Sequence, residues 1–172
     1  ELSLRQFDPT AATLTLAEME QFALALDRRT RSLGRELQEI THLGVERTLS
    51  SGLFLNSNGV ESVVRRSAVS AGIQVAVERN HQMKTGYRGL SRRGREALDL
   101  ELLSDEALSR GIEMLGAAPV ESGEWPVVLD RRISGQLVAL YSSALFAQQV
   151  QKGVSFLTDH KGKTVASPLI TL

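Results

Sequence analysis

Residues 53–90, LFLNSNGVESVVRRSAVSAGIQVAVERNHQMKTGYRGL, decide the fold. Leu53-Phe54-Leu55 is short and apolar and reads as a strand. Asn56-Ser57-Asn58-Gly59 follows, and Asn-Gly tolerates the positive φ angles of a tight type I′ turn, so the chain is expected to reverse here. Val60–Arg66 then returns antiparallel. Ala68–Glu78 (AVSAGIQVAVE) and Met83–Leu90 (MKTGYRGL) read as two more strands joined around Asn80. On the N-terminal side, Leu37, Ile40, Leu43 and Val45 alternate loosely with Glu36, Glu39, Thr41 and Glu46. Leu49-Ser50-Ser51-Gly52 is expected to turn the chain before Leu53. Together these segments predict an antiparallel meander of about four or five strands.

Helices flank the meander. Glu1–Thr13 reads as a leading loop, with a turn at Asp8-Pro9. Thr15-Leu16-Ala17-Glu18 has the capping-box pattern, and Leu16, Met19, Phe22, Ala23 and Leu26 mark the buried face of a helix over Leu16–Asp27. Arg28-Arg29-Thr30-Arg31 reads as its solvated end, where cations suit the helix dipole. A later helix is expected with Ser104 as cap, Asp105 and Glu106 in its first turn, Leu108, Ile112 and Leu115 as apolar seam, and Gly116 as stop. After a loop holding Pro119 and Gly123, Trp125–Leu129 (WPVVL) reads as a short buried strand.

The C-terminal part is organised around Ile133–Leu172. Asp130 is its N-cap; Ile133, Leu137, Leu140, Tyr141, Ala144 and Leu145 share one face of a long helix; Gly153 ends it. Val165–Leu172 reads as a strand, with Pro168 marking an edge or a bulge. The fold class is therefore α+β: an antiparallel β-meander packed with amphipathic helices. The expected division is residues 1–123, a central α+β domain, and residues 124–172, the truncated start of a C-terminal domain. A chain that stops within a strand is expected to be a piece of a longer protein.

Composition narrows the function classes. The 172 residues carry 20 basic and 20 acidic side chains, so nothing pulls the chain as a whole toward nucleic acid or an anionic membrane. There is no cysteine, which removes disulfides and thiolate metal sites from this stretch and fits a cytoplasmic setting. No apolar run approaches the roughly 20 residues of a membrane span.

Chemistry-bearing motifs are sparse. His42, His81 and His160 lie far apart in sequence and share no zinc-site spacing. Ser142-Ser143 and Ser155 have no neighbouring general base. Gly86, Gly89 and Gly94 are too dispersed to form a phosphate loop. Arg92-Arg93-Gly94-Arg95 is the most basic point and reads as a solvated loop rather than a phosphate or nucleic-acid site, because no aromatic residues interleave it for base stacking; a protein acting on a nucleic-acid enzyme would use Arg65, Arg66, Arg92, Arg93 and Arg95. Read from residues alone, the chain is an α+β binding or scaffold module.

Three blocks carry a resemblance to a family. They are Leu55-Asn56-Ser57-Asn58-Gly59; Leu115-Gly116-Ala117 through Ser122-Gly123-Glu124-Trp125-Pro126-Val127-Val128-Leu129; and Gln151-Lys152-Gly153-Val154-Ser155-Phe156-Leu157, with Gly162 and Val165-Ala166-Ser167-Pro168-Leu169 behind it. In order and spacing they resemble the middle portion of TldD/PmbA-type proteins (PmbA is also called TldE). The resemblance implies a longer protein with an N-terminal α/β domain and a C-terminal β-rich domain, and a cytoplasmic role in peptide proteolysis or maturation. It also brings the family's label as a modulator of DNA gyrase.

In the TldD type, the helix corresponding to Ile133–Gln149 carries histidine-glutamate-x-x-x-histidine. Two imidazoles a turn apart hold zinc and the glutamate activates water. Aligned on Gly153 and Ser155, those positions are Val138, Ala139 and Ser143. The resemblance therefore implies the PmbA/TldE type, with no catalytic or metal residue in this chain and zinc only in a TldD-like partner. Expected partners are that catalytic subunit or a second copy, and a peptide substrate, with no membrane and no direct nucleic-acid contact. Asn56, Ser57, Asn58 and Gly59 are the candidate peptide-binding or structural turn, and an exposed sheet edge could take an extended peptide by strand addition. The alternative is a binding protein acting on DNA gyrase or another partner without peptidase activity. A third reading is a peptidase of other chemistry encoded beyond Leu172.

Overall fold

The computed structural model describes residues 6–95 and 98–169. The chain divides into two compact units, residues 1–119 and residues 120–172.

The first unit is a three-stranded antiparallel sheet in the order β1-β2-β3, backed by helices. The strands are β1 (Leu37–Leu55), β2 (Glu61–Arg79) and β3 (Gln82–Arg92). β1 does not turn at Leu49–Gly52: Leu49, Ser50, Ser51 and Gly52 pair in unbroken register with Ser67, Arg66, Arg65 and Val64. Three long strands thus replace the four or five short ones expected. The only register shifts in this pair lie between Leu37 and Glu39 and between Ile40 and His42.

One face of the sheet is covered. Val69, Ala71, Ile73, Val75 and Val77 alternate along β2; the last four are buried with Leu26, Leu90, Leu103, Ala107 and Leu108, and Val69 is buried with Ala11 and Leu14. The covering helices are α2 (Leu16–Ser32) and α3 (Leu100–Glu113). α2 starts with the expected capping box: Thr15 Oγ1 accepts from the Glu18 N–H, and Glu18 accepts from the Thr15 N–H. It runs past Asp27 through the arginine-rich segment. Thr30 is buried there and donates to the Leu26 carbonyl, while Arg29 reaches across to Ser104 and Asp105 of α3. Asp99, not Ser104, caps α3 by accepting from the Leu102 N–H. Ser104 is buried inside the helix, its hydroxyl bonded to the Leu100 carbonyl and to Arg29. The leading segment also contains a short helix α1 (Pro9–Thr13), capped by Asp8, where a loop was expected. Residues 1–5 of that segment lie outside the described residues.

The second unit holds α4 (Arg131–Ser142), a 3₁₀ turn (Ser143–Leu145), α5 (Ala147–Gln151) and a second 3₁₀ turn (Thr158–His160). Asp130 caps α4 as expected. The single long helix is broken: Ser142 and Ser143 hydroxyls donate back to the Ala139 and Leu140 carbonyls, and Phe146 is extended. Ser155 fastens the break by donating to the Ala144 carbonyl at 2.7 Å. Gly153 closes α5 with φ 69. Trp125–Leu129 forms no strand and is exposed. Residues 165–169 form a bend and a turn rather than a strand, and residues 170–172 lie outside the described residues. Both expected strands would need a neighbour to pair with, and the described residues of this unit supply none.

Candidate functional site

The hairpin tip shows what Asn56–Gly59 does. The Asn56 N–H donates to the Val60 carbonyl, the Gly59 N–H donates to the Asn56 carbonyl, and Gly59 has φ 79. Asn56 Oδ1 accepts from the Asn58 and Val60 N–H groups. This is a three-residue loop, a type I turn closed by a left-handed glycine, instead of the type I′ turn expected. The type I′ geometry sits between β2 and β3, where Asn80 and His81 have φ 51 and 63 between the paired Arg79 and Gln82.

Behind that tip the hairpin projects beyond β3, whose pairing with β2 ends at Val69↔Arg92. Residues 48–55 and 61–68 form a two-stranded ribbon that leaves Leu49, Leu53, Phe54, Leu55, Val63 and Val64 exposed. Such ribbons are marginal alone in water. The Asn56–Val60 bond fixes the alternation of the ladder. Even-numbered residues from His42 to Phe54 bond to β2, and odd-numbered residues from Leu43 to Leu55 point their N–H and C=O groups away from the sheet.

The opposite edge is interrupted. Arg110 Nη1 of α3 donates to the outward Tyr87 carbonyl of β3 at 2.9 Å. Glu106 holds Arg110 and also Arg88, which is 9% exposed and 3.4 Å from the same carboxylate. Arg88 Nε is buried without a partner. The spacing of Glu106 and Arg110 by one helical turn hints at this cluster in the sequence; Arg88 gives no such signal.

The helix-free face of the sheet is smooth. Gly44, Gly72 and Gly89 stand in one row across the three strands. The half-exposed Tyr87 ring lies over two of them: a Cβ would meet Tyr87 Oη at 3.1 Å from Gly72 and at 2.4 Å from Gly89. Ser70 and Ser91 hydroxyls bond beside it at 2.9 Å.

The arginines named from sequence do not gather into one patch. Arg66 donates to Gln6, Arg92 to the Ser91 carbonyl, and Arg95 pairs with Glu18. Arg92 and Arg93 line a shallow depression of about 490 Å³ that also contains Asp8. Hydrogen bonds from the Thr10 hydroxyl and N–H lower the Asp8 pKa, so a carboxylate offsets the guanidinium charge there.

In the second unit, Leu137, Tyr141, Leu145, Phe156 and Val165 line an apolar cleft of about 400 Å³, with Tyr141 and Phe156 edge to face at 5.9 Å. Val138 lines the same cleft. Ser143 Oγ, at the start of the 3₁₀ turn, donates back to the Leu140 carbonyl of α4. Neither valine nor alanine has a metal-donor or proton-accepting side-chain atom, so Val138, Ala139 and Ser143 do not fit a zinc ion. His42 lies in β1, His81 in the β2–β3 turn and His160 in a 3₁₀ turn. Among the described residues no helix is long and apolar enough to cross a membrane.

A long-stranded antiparallel sheet with helices on one face, followed by a helical unit with an apolar cleft, makes this an α+β protein of two units. Residues 3–115 match the PmbA/TldA metallopeptidase central domain, and residues 122–172 match the PmbA/TldA metallopeptidase C-terminal domain. The chain belongs to the PmbA/TldD family. Two solved structures share its fold. One is a Thermotoga maritima protein bearing the name of a DNA gyrase modulator (TM-score 0.80, 16% identity, 91% of this chain and 36% of that one). The other is a similarly named Bacteroides thetaiotaomicron protein (TM-score 0.78, 22% identity, 97% of this chain and 38% of that one). The chain thus spans well under half the length of these relatives. No curated protein matches the sequence.

Proposed function

We propose that this chain is part of the non-catalytic, TldE-type subunit of a cytoplasmic peptidase that acts in peptide proteolysis or maturation. Its partner is a TldD-like subunit that supplies zinc and the histidine-glutamate motif. The observation that carries this reading is Val138. Aligned on Gly153 and Ser155, the motif's first histidine falls at Val138, a half-buried apolar side chain that lines an apolar cleft and has no atom to ligate a metal. Ala139 and Ser143 offer neither a general base nor a second imidazole. The work left to this subunit is assembly and substrate delivery.

The test is cleavage of an unstructured peptide by the full-length protein, alone and mixed with a family member that carries the motif. Turnover in the mixture only, abolished by a chelator, is the expected result. Turnover by this protein alone would overturn the proposal.

A further inference from the structure

The hairpin tip carries a reactive dipeptide. Of the three asparagines in the chain, Asn56, Asn58 and Asn80, only Asn58 precedes a glycine, and no aspartate does. Asparagine is a thermolabile residue. Its weak point is attack on the side-chain carbonyl carbon by the backbone nitrogen of the next residue. Glycine, with no Cβ, hinders that attack least.

The structure separates the three. Asn56 is engaged: its Oδ1 accepts from the Asn58 and Val60 N–H groups at 3.0 and 3.1 Å, and Ser57 follows it. Asn80 precedes His81, a bulky residue held at φ 63 within the tight β2–β3 turn. Asn58 is exposed, and among the described residues its carboxamide has no hydrogen-bond partner. A Cβ built on Gly59 would meet nothing within 4 Å, so the flank of its nitrogen is open. One bond restrains that nitrogen: the Gly59 N–H donates to the Asn56 carbonyl at 3.2 Å.

We propose that Asn58 is a site of spontaneous succinimide formation and deamidation. The Gly59 nitrogen gives up its proton and bonds to Asn58 Cγ. The bond from Cγ to the carboxamide nitrogen breaks, and ammonia leaves carrying that proton. The cyclic imide then takes up one water. Opening at one carbonyl gives aspartate; opening at the other gives isoaspartate, in which the main chain runs through the former side chain. Water is the sole co-reactant.

Both products change the tip. Each adds a negative charge to a chain whose 20 basic and 20 acidic side chains balance. Isoaspartate also lengthens by one methylene the loop Ser57-Asn58-Gly59, which the Asn56–Val60 bond closes. The ladder behind it is a two-stranded ribbon, marginal alone in water, so displacing that bond should fray it back from the Leu55–Glu61 pair. The tip thus records the age of the molecule. The Asn56 bonds that shape the loop also slow the reaction, because they hold Gly59 in its turn with its N–H occupied.

The test is peptide mapping by mass during incubation of the full chain in mildly alkaline buffer, with its Asn58→Gln and Asn56→Ala variants and the urea-unfolded parent alongside. The parent peptide containing Asn58 is expected to lose the mass of ammonia, then gain that of water, and to resolve into aspartate and isoaspartate forms of equal mass. The Asn80 peptide should stay unmodified. Asn58→Gln should abolish the change, because the larger ring forms far more slowly. Asn56→Ala removes the Oδ1 bonds and should speed conversion of Asn58 at least about threefold. Hydrogen exchange at the Val60 amide should quicken in the aged parent. A folded parent that keeps Asn58 intact while the unfolded one converts it overturns the proposal. So does conversion at Asn80 ahead of Asn58, or an Asn56→Ala rate no faster than the parent's. These masses and rates are read without any peptide cleavage assay.

Discussion

Gly86 and Ala107 are in backbone contact where β3 passes beneath α3. A Cβ on Gly86 would lie 2.0 Å from the Ala107 carbonyl oxygen and 2.5 Å from the Gly111 nitrogen. The obstacles are main-chain atoms of a helix, which no rotamer change can clear. Gly86→Ala is therefore expected to lower unfolding free energy by about 3 kcal/mol. Gly111→Ala meets chiefly the Val77 side chain, at 2.9 Å, and gains helix propensity, so it should cost about 1 kcal/mol or less. Urea titrations of the two variants would separate these outcomes; an unaffected Gly86→Ala would refute the contact.

The two hairpin turns respond oppositely to glycine. His81 holds φ 63, a left-handed conformation costly for a side chain bearing a Cβ, so His81→Gly is expected to stabilise the protein by about 1 kcal/mol. Asn58 is not among the positive-φ residues, and Asn58→Gly should give no gain and lose a little to chain entropy. Melting temperatures of the two variants that rose together would contradict the turn types described.

Among the described residues, Glu106 is the carboxylate partner of two guanidinium groups, one of them buried. Glu106→Gln should destabilise the fold by about 2–3 kcal/mol, because Arg88 would keep its charge in a place from which water is largely excluded. Arg88→Met removes both that charge and the unpartnered Nε, and is expected to be near neutral alone and to rescue most of the Glu106→Gln loss. A double-mutant cycle without coupling would remove this account.

Acid should loosen the N-terminal caps. Bonds from the Thr15 N–H and hydroxyl, with Arg95 adding a smaller effect, lower the Glu18 pKa, and the Thr10 hydroxyl and N–H lower that of Asp8. Depressed carboxylates contribute stability that is fully present above their ordinary values of about 4 and is lost as pH falls through the folded-state values. Stability should therefore decline on acidification, and less steeply in Glu18→Gln. Equal slopes for parent and variant would count against the capping bonds as the source.

Local signals in the sequence were legible. The Thr15–Glu18 capping box, Asp130 as a cap, and the left-handed glycines at Gly116 and Gly153 each depend on a few neighbouring residues, and each is present. Non-local pairing was not. Leu49-Ser50-Ser51-Gly52 has turn composition, yet it continues β1 because Val64–Ser67 on the returning strand holds its register. Trp125–Leu129 has strand composition but finds no partner strand. The apolar character of Val138 and Ala139 could be read from sequence, whereas the cleft that Val138 lines, and the Arg88–Glu106–Arg110 cluster, needed coordinates.

Arg110 on the Tyr87 carbonyl has a consequence for growth. A sheet with two open rims can add copies without limit and polymerise into a fibre. Here the β3 rim is stoppered by a guanidinium, so a strand arriving from that side finds an acceptor already taken, and growth of the sheet past β3 is blocked at Tyr87.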